Sequence, residues 1–214
     1  MGGEFCGNAS RSLAAFIVYS QYPNIKKIDQ VYEVTIKTSG IEGIITCKVT
    51  PTEKGNSFFS EINMPLPLLI KEFHFKEGNN SIKSIKVSLP GIIHFIVDAN
   101  KVQDKDSFFK VIKNEMDKEE YDAFGIMYYD RESNFLTPLV YVKNTDSLFW
   151  ERSCASGTAA LGAALAYESE SSISKEIQQP GGSLEISIDW KSNNIDSIKL
   201  DGLVEIVSEG IAYL

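Results

Sequence analysis

Two short stretches constrain the fold of this chain more than anything else in it. GGEFCGNASRS, residues 2–12, and ERSCASGTAALG, residues 151–162, each set a cysteine in a turn of small residues that leads into an apolar segment. Counted from each cysteine, Ser10 and Thr158 fall at plus four, Leu13 and Leu161 at plus seven, and Ala15 and Ala163 at plus nine. A second pattern repeats further on. TSGIEGIITCKV (38–49) and QPGGSLEISID (179–189) both place an alternating strand after a glycine-containing turn. Cys6 and Cys154 lie 148 residues apart, so the chain reads as two like halves, each built around one cysteine, one turn and one helix.

Most of the remainder is strand. Tyr32, Val34 and Ile36 alternate with polar residues, as do Ile45, Cys47 and Val49, then Leu184, Ile186 and Ile188, while IIHFIV at 92–97 is a continuous apolar run. Three helices are expected, over Ser10–Gln21, Asp106–Asp117 and Thr158–Glu168. Phe108, Val111, Ile112 and Glu115 make the middle one amphipathic and place it on a surface. The outer two, RSLAAFIVY and TAALGAALAY, are apolar on nearly every face, which requires protein on all sides. An α+β fold follows, with two pseudo-symmetric lobes, each a curved sheet around a central buried helix. The expected division is 1–75 together with 203–214 for the first lobe and 76–202 for the second. The C-terminal strand, Val204 to Leu214, is expected to cross back to the first lobe.

The repeat also compares the halves. A block of strands begins near Ile82, about 70 residues ahead of Cys154, whereas five residues precede Cys6. The first lobe is therefore expected to be incomplete, with Leu13, Phe16, Ile17 and Val18 facing water. A second copy of the chain, in a homodimer, a separately encoded N-terminal segment or a rearranged N-terminus is the expected cover.

Charge and cysteine usage narrow the class. The formal net charge is -8 and no run of Lys and Arg could track phosphates, so nucleic acid is excluded as a partner. No apolar stretch reaches membrane-spanning length and no basic-then-apolar leader opens the chain, which points to the cytoplasm and away from a membrane. The three cysteines are odd in number and widely spaced. Neither a disulfide framework nor a zinc site fits them, and no metal is expected.

A helix N-terminus offers unbonded backbone N–H groups and the positive end of the helix dipole, and small residues let an anion approach closely. A carboxylate binds there, and a thiol placed at the entry has its pKa lowered. Two such entries facing one another can hold a small carboxylate between two thiols. One thiolate removes the α proton from one face and the opposite thiol supplies a proton to the other, which is racemisation or epimerisation without a cofactor. Cys47, on one face of a strand, reads as packing, and His94 as a core histidine. His74 reads as surface, and Glu115–Glu120 as a solvated helix end.

At these residues the sequence resembles the diaminopimelate epimerase-like family of cofactor-independent amino-acid racemases and epimerases. The resemblance rests on GGEFCGNASRS, LPGIIHFIVD, ERSCASGTAALG, PGGSLEISIDW and LDGLVEIVSEGIAYL, and covers most of the chain. It implies barrel-like, mostly antiparallel lobes, and Cys6 and Cys154 as acid and base. It further implies the backbone N–H groups of Gly7, Asn8, Ala155 and Ser156 as a carboxylate cradle, and Glu151, followed by Arg152, as the partner of the amino group. Diaminopimelate epimerase itself has a longer run before its second cysteine and substrate-binding asparagines where Ile93 and Ala123 stand here. FWERSCASGT is closer to the histidine-racemase branch, which implies an isomerase acting on an amino acid such as histidine. Three alternatives stay open: diaminopimelate epimerase, a non-catalytic amino-acid-binding relic, and a thiol-disulfide switch.

Overall fold

The structure, a computed structural model, describes residues 5–77 and 80–210. Strands β1 (Lys26–Ile28), β2 (Val31–Ile36), β3 (Ile45–Pro51) and β4 (Ser57–Asn63) make an antiparallel meander. Val34 and Ile36 of β2, and Ile45, Cys47 and Val49 of β3, turn inward with the expected period of two. In the second half β5 (Leu69–Glu77), β6 (Asn80–Leu89) and β7 (Ile92–Asp98) are antiparallel. A crossover carrying helix α2 (Lys105–Met116) then sets β8 (Ala123–Asp130) parallel to β7. Next come β9 (Phe135–Val142) and β10 (Ser147–Trp150), and after the second cysteine β11 (Ile173–Gln179), β12 (Gly182–Lys191), β13 (Asn194–Asp201) and β14 (Leu203–Glu205).

The halves meet through backbone. β13 pairs with β4 at Lys199–Asn63 and Leu200–Ile62, which makes one sheet of 14 strands among the described residues. β14 also joins β4, with Leu203 opposite Phe59 and Glu205 opposite Ser57. The chain therefore crosses back to the first half where the sequence pattern places it. Residues 211–214 of that expected strand lie outside the described residues.

Helices α1 (Gly7–Tyr19) and α3 (Ala155–Ser169) each begin three residues earlier than the sequence pattern places them. The reason is the cap. Cys6 and Cys154 occupy the N-cap positions in extended conformation, and their sulfurs take backbone N–H groups that a Ser or Asp normally takes. Ser10 and Thr158 instead sit inside the first turn, donating their hydroxyls back to the carbonyls of Cys6 (3.0 Å) and Cys154 (2.7 Å).

The two helices differ in how they are covered. α3 packs against β5–β8 on one side and β11–β13 on the other. Ala159, Ala160, Leu161 and Ala163 are completely buried there, as an all-apolar helix demands. α1 packs against β2, β3, β4 and β14 on one side and touches α3 only at its first turn. Its Leu13 and Phe16 are 47% and 48% exposed, whereas Leu161, the repeat partner of Leu13, is sealed. At ~2 kcal/mol for full burial of a leucine side chain, roughly half is forfeited at Leu13. Of the four α1 side chains expected in water, Ile17 is half-buried and Val18 is buried, because they turn toward β2–β4 rather than away from them.

A second core lies on the far face of β6–β9 under α2. Asp104 caps that helix, accepting from the N–H groups of Asp106 and Ser107, and Phe108, Ile112 and Met116 fill the space against Phe75, Phe95 and Tyr128. The helix end beyond it is exposed from Asp117 to Glu120, as expected of a solvated end. Glu119 reaches back 2.8 Å to Lys86, a lysine buried on β6 that needs a counter-charge. His74 is exposed, as expected, and sits 2.8 Å from Glu72.

Candidate active site

The first turns of α1 and α3 face one another. A Cβ built on Gly7 would stand 2.9 Å from the Cβ of Ala155 and 3.0 Å from Met64 Sδ, so only glycine allows the turns to close this far. Asn8 spans the gap and donates from Nδ2 to the carbonyl of Ser153 at 3.2 Å. Cys6, Gly7 and Asn8 from one end of the chain are thus brought beside Ser153, Cys154 and Ala155 from the other.

Each cysteine holds its own helix. Ala9 N–H donates to Cys6 Sγ at 3.5 Å and Gly157 N–H to Cys154 Sγ at 3.3 Å, while Ser10 and Thr158 N–H return to the two cysteine carbonyls. This pattern uses the third and fourth donors of each first turn. It leaves the N–H groups of Gly7, Asn8, Ala155 and Ser156 outside the helical ladder. These four are the groups named from the sequence as a carboxylate cradle.

The thiols themselves are unlike. Cys6 is exposed and Cys154 is buried. Burial pushes the Cys154 thiol well above the usual cysteine range, and the neighbouring Glu151 carboxylate pushes it further. Hydrogen bonds from Ser156 and from the Gly157 N–H pull weakly the other way. This corrects the expectation that a helix N-terminus lowers the pKa of a thiol at its entry: desolvation outweighs the dipole at Cys154. The carboxylate of Glu151 stands against the Cys154 thiol and hydrogen-bonds it. Arg152 extends an exposed side chain and contributes its carbonyl, which accepts from Gly181 N–H at 2.7 Å.

Sequence reasoning missed three groups. His94 is completely buried on β7, as expected of a core histidine, yet its Nε2 lies 3.0 Å from Ser156 Oγ, itself 3.6 Å from Cys154 Sγ. Burial alone lowers its pKa from 6.5 to about 3, so the ring is neutral. Gly125 on the adjoining strand makes room for it, since a Cβ there would run into Nδ1. Gln179, buried at the end of β11, accepts from Cys154 N–H at 2.8 Å and donates to Thr158 Oγ1 at 2.9 Å, closing a ring of hydrogen bonds around the second turn. Arg11 is buried on α1, a helix whose sequence reads as apolar. Cys47 behaves as packing: it is fully buried, bonded weakly to the Ser10 carbonyl, and raised to about 11 by burial, with Arg11 opposing.

This fold and its relatives define an isomerase of the amino-acid racemase and epimerase class. Residues 1–213 match the family described as histidine racemase CntK N-terminal domain, and the chain belongs to that family. Over 216 aligned positions it is 35% identical to a histidine racemase of Fusobacterium nucleatum, covering all of this chain and 77% of that protein. It is 27% identical to a histidine racemase of Staphylococcus aureus, covering all of this chain and 75% of that one. Among solved structures, a probable proline racemase from Agrobacterium radiobacter with bound carbonate superposes with a TM-score of 0.63 at 13% identity, over 96% of this chain and 68% of that one. A hydroxyproline epimerase from Agrobacterium vitis with bound trans-4-hydroxy-L-proline gives 0.65 at 11% identity, over 95% and 65%. These two share the fold. Among the described residues no helix is long and apolar enough to cross a membrane.

Proposed function

We propose that the chain racemises histidine by passing protons between Cys6 and Cys154, without a cofactor, in a reducing cytoplasm. The observation that carries this reading is the contact between two cysteine-capped helix entries, Gly7 against Ala155 and Asn8 bonded to Ser153. The substrate carboxylate lies between the helix ends and takes the N–H groups of Gly7, Asn8, Ala155 and Ser156, whose dipoles also stabilise the negative charge that develops when the α proton leaves. Cys154 is the proton-bearing thiol of the resting site, since burial and Glu151 both disfavour its thiolate. Cys6 takes the α proton from the exposed side while Cys154 delivers one to the other face. For the opposite enantiomer the roles exchange: one turnover leaves Cys6 as the thiol and Cys154 as the thiolate, and in that form Cys154 takes the α proton while Cys6 delivers one. Glu151 also partners the substrate ammonium in this reading. Neutral His94 fixes the Ser156 hydroxyl beside the thiol.

In this reading the lobes at 1–75 with 203–214 and at 76–202 each supply one thiol and one half of the cradle. The test is incubation with L-histidine in deuterated water. D-histidine carrying an α deuteron is expected from the wild type, and neither Cys6→Ser nor Cys154→Ser should form it. If either serine variant racemises at near the wild-type rate, the two-thiol assignment is wrong. Exchange with diaminopimelate and not with histidine moves the substrate. Binding without exchange of any amino acid leaves the relic, and a stable Cys6–Cys154 disulfide without exchange leaves the redox switch.

A further inference from the structure

We infer that Arg11 is a positioning residue that sets the gap between the two thiols by fixing the side-chain amide of Asn8. This inference rests on the two-thiol reading above.

Arg11 is 3% exposed, on a helix whose other inward residues are small or apolar. Its Nε donates to the Ser60 carbonyl on β4 at 2.7 Å, and Ser60 returns its hydroxyl to the Arg11 carbonyl at 3.2 Å. The same guanidinium donates from Nη1 to Asn8 Oδ1 at 3.4 Å. Nη2 is buried against Gly202, where a Cβ would stand 2.8 Å away; burial works against the charge, and the carboxylate of Asp201 opposes that. The side chain is thus held by β4 at its base and closed in by the β13–β14 corner at its tip.

What this does to Asn8 follows from donor and acceptor arithmetic. Arg can only donate and a backbone carbonyl can only accept. With Nη1 on one side of the amide and the Ser153 carbonyl on the other, Asn8 has one allowed orientation: Oδ1 toward Arg11 and Nδ2 toward Ser153. An Asn8 amide turned over would face two donors together and two acceptors together. The chain β4, Arg11, Asn8, Ser153 therefore ties the turn of the first cysteine to the turn of the second. A lysine has the charge but a single donor head, and cannot serve the Ser60 carbonyl and Asn8 with a planar fork.

The gap matters only to a reaction that uses both thiols. When the turns splay, the thiol that removed the α proton can still return a deuteron to the same face, but the opposite thiol no longer reaches. Arg11→Lys removes the fork. Arg11→Met keeps the length of the side chain and removes every donor, so that neither Asn8 nor the Ser60 carbonyl is held. In deuterated water both variants should form the inverted enantiomer at least tenfold more slowly than wild type, while deuterium in the recovered starting enantiomer falls no more than about threefold. Amide hydrogen exchange over residues 151–157 should quicken at least tenfold in both, with residues 160–166 of α3 unchanged. Equal loss of inversion and same-face exchange in both variants, or unaltered exchange protection over 151–157 in both, overturns the inference. A wild type that exchanges no α hydrogen with any amino acid sinks the two-thiol reading instead, and the amide exchange alone then decides whether Arg11 ties the turns together.

Discussion

Acid should unfold this protein through His94. The ring is completely buried and neutral, with a pKa of about 3 against 6.5 for the free group. Below pH 6.5 the unfolded chain takes up a proton that the folded chain refuses, so stability falls as the pH drops from 6.5 toward 3 and levels off below that. Over the whole window the loss is about 5 kcal/mol, and between pH 7 and pH 5.5 it is about 1 kcal/mol. His94→Gln removes the titration while keeping a side chain that can bond Ser156. Urea unfolding followed by the fluorescence of Trp150 and Trp190, at pH 7 and pH 5.5, measures the effect. Wild type should lose about 1 kcal/mol more than the variant on that step, whatever the variant costs at pH 7. Carboxylates common to both proteins cancel in the comparison. Parallel pH dependences in the two proteins refute the reasoning, and mean that water or a polar group reaches Nδ1 when the ring is charged.

Gly7→Ala forces a Cβ to within 2.9 Å of Ala155 and should cost about 1–3 kcal/mol in a urea titration while slowing racemisation; a variant as stable and as fast as wild type means the turns do not touch. Thiol alkylation should reach Cys6 well ahead of Cys47 and Cys154, because Cys6 is exposed and the other two are buried with raised pKa values, and mass mapping that finds Cys47 modified early contradicts this. The bare Leu13 and Phe16 of α1 should make the chain self-associate, with Phe16→Glu weakening the association. Light scattering that shows a monomer throughout rules out a second copy as their cover.

The strands and helices were legible because period two and an all-apolar helix are local signals. Val34 with Ile36, and the sealed face of α3, needed nothing from elsewhere in the chain. The pairing of Cys6 with Cys154 was legible for another reason, since a repeated turn announces a repeated role. His94, Gln179 and Arg11 were not. Each acquires its meaning from a neighbour far along the chain: Ser156 is 62 residues from His94, Cys154 is 25 from Gln179, and Ser60 is 49 from Arg11. Alternation along β7 says that His94 points inward, but not what it meets. The raised pKa of Cys154 was hidden in the same way. The dipole can be read from the turn, whereas the depth of burial that overrides it is set by the whole sheet.

That sulfur, and not oxygen, caps both helices ties the integrity of the backbone to the chemistry. A neutral thiol is a weak acceptor for the N–H groups of Ala9 and Gly157. A thiolate in the same place makes charge-assisted bonds roughly twice as strong as neutral ones. In a two-thiol cycle the negative charge changes sides at every turnover, so one helix end tightens as the other slackens. On the proposed cycle the molecule is a balance whose tilt records which mirror image it last released.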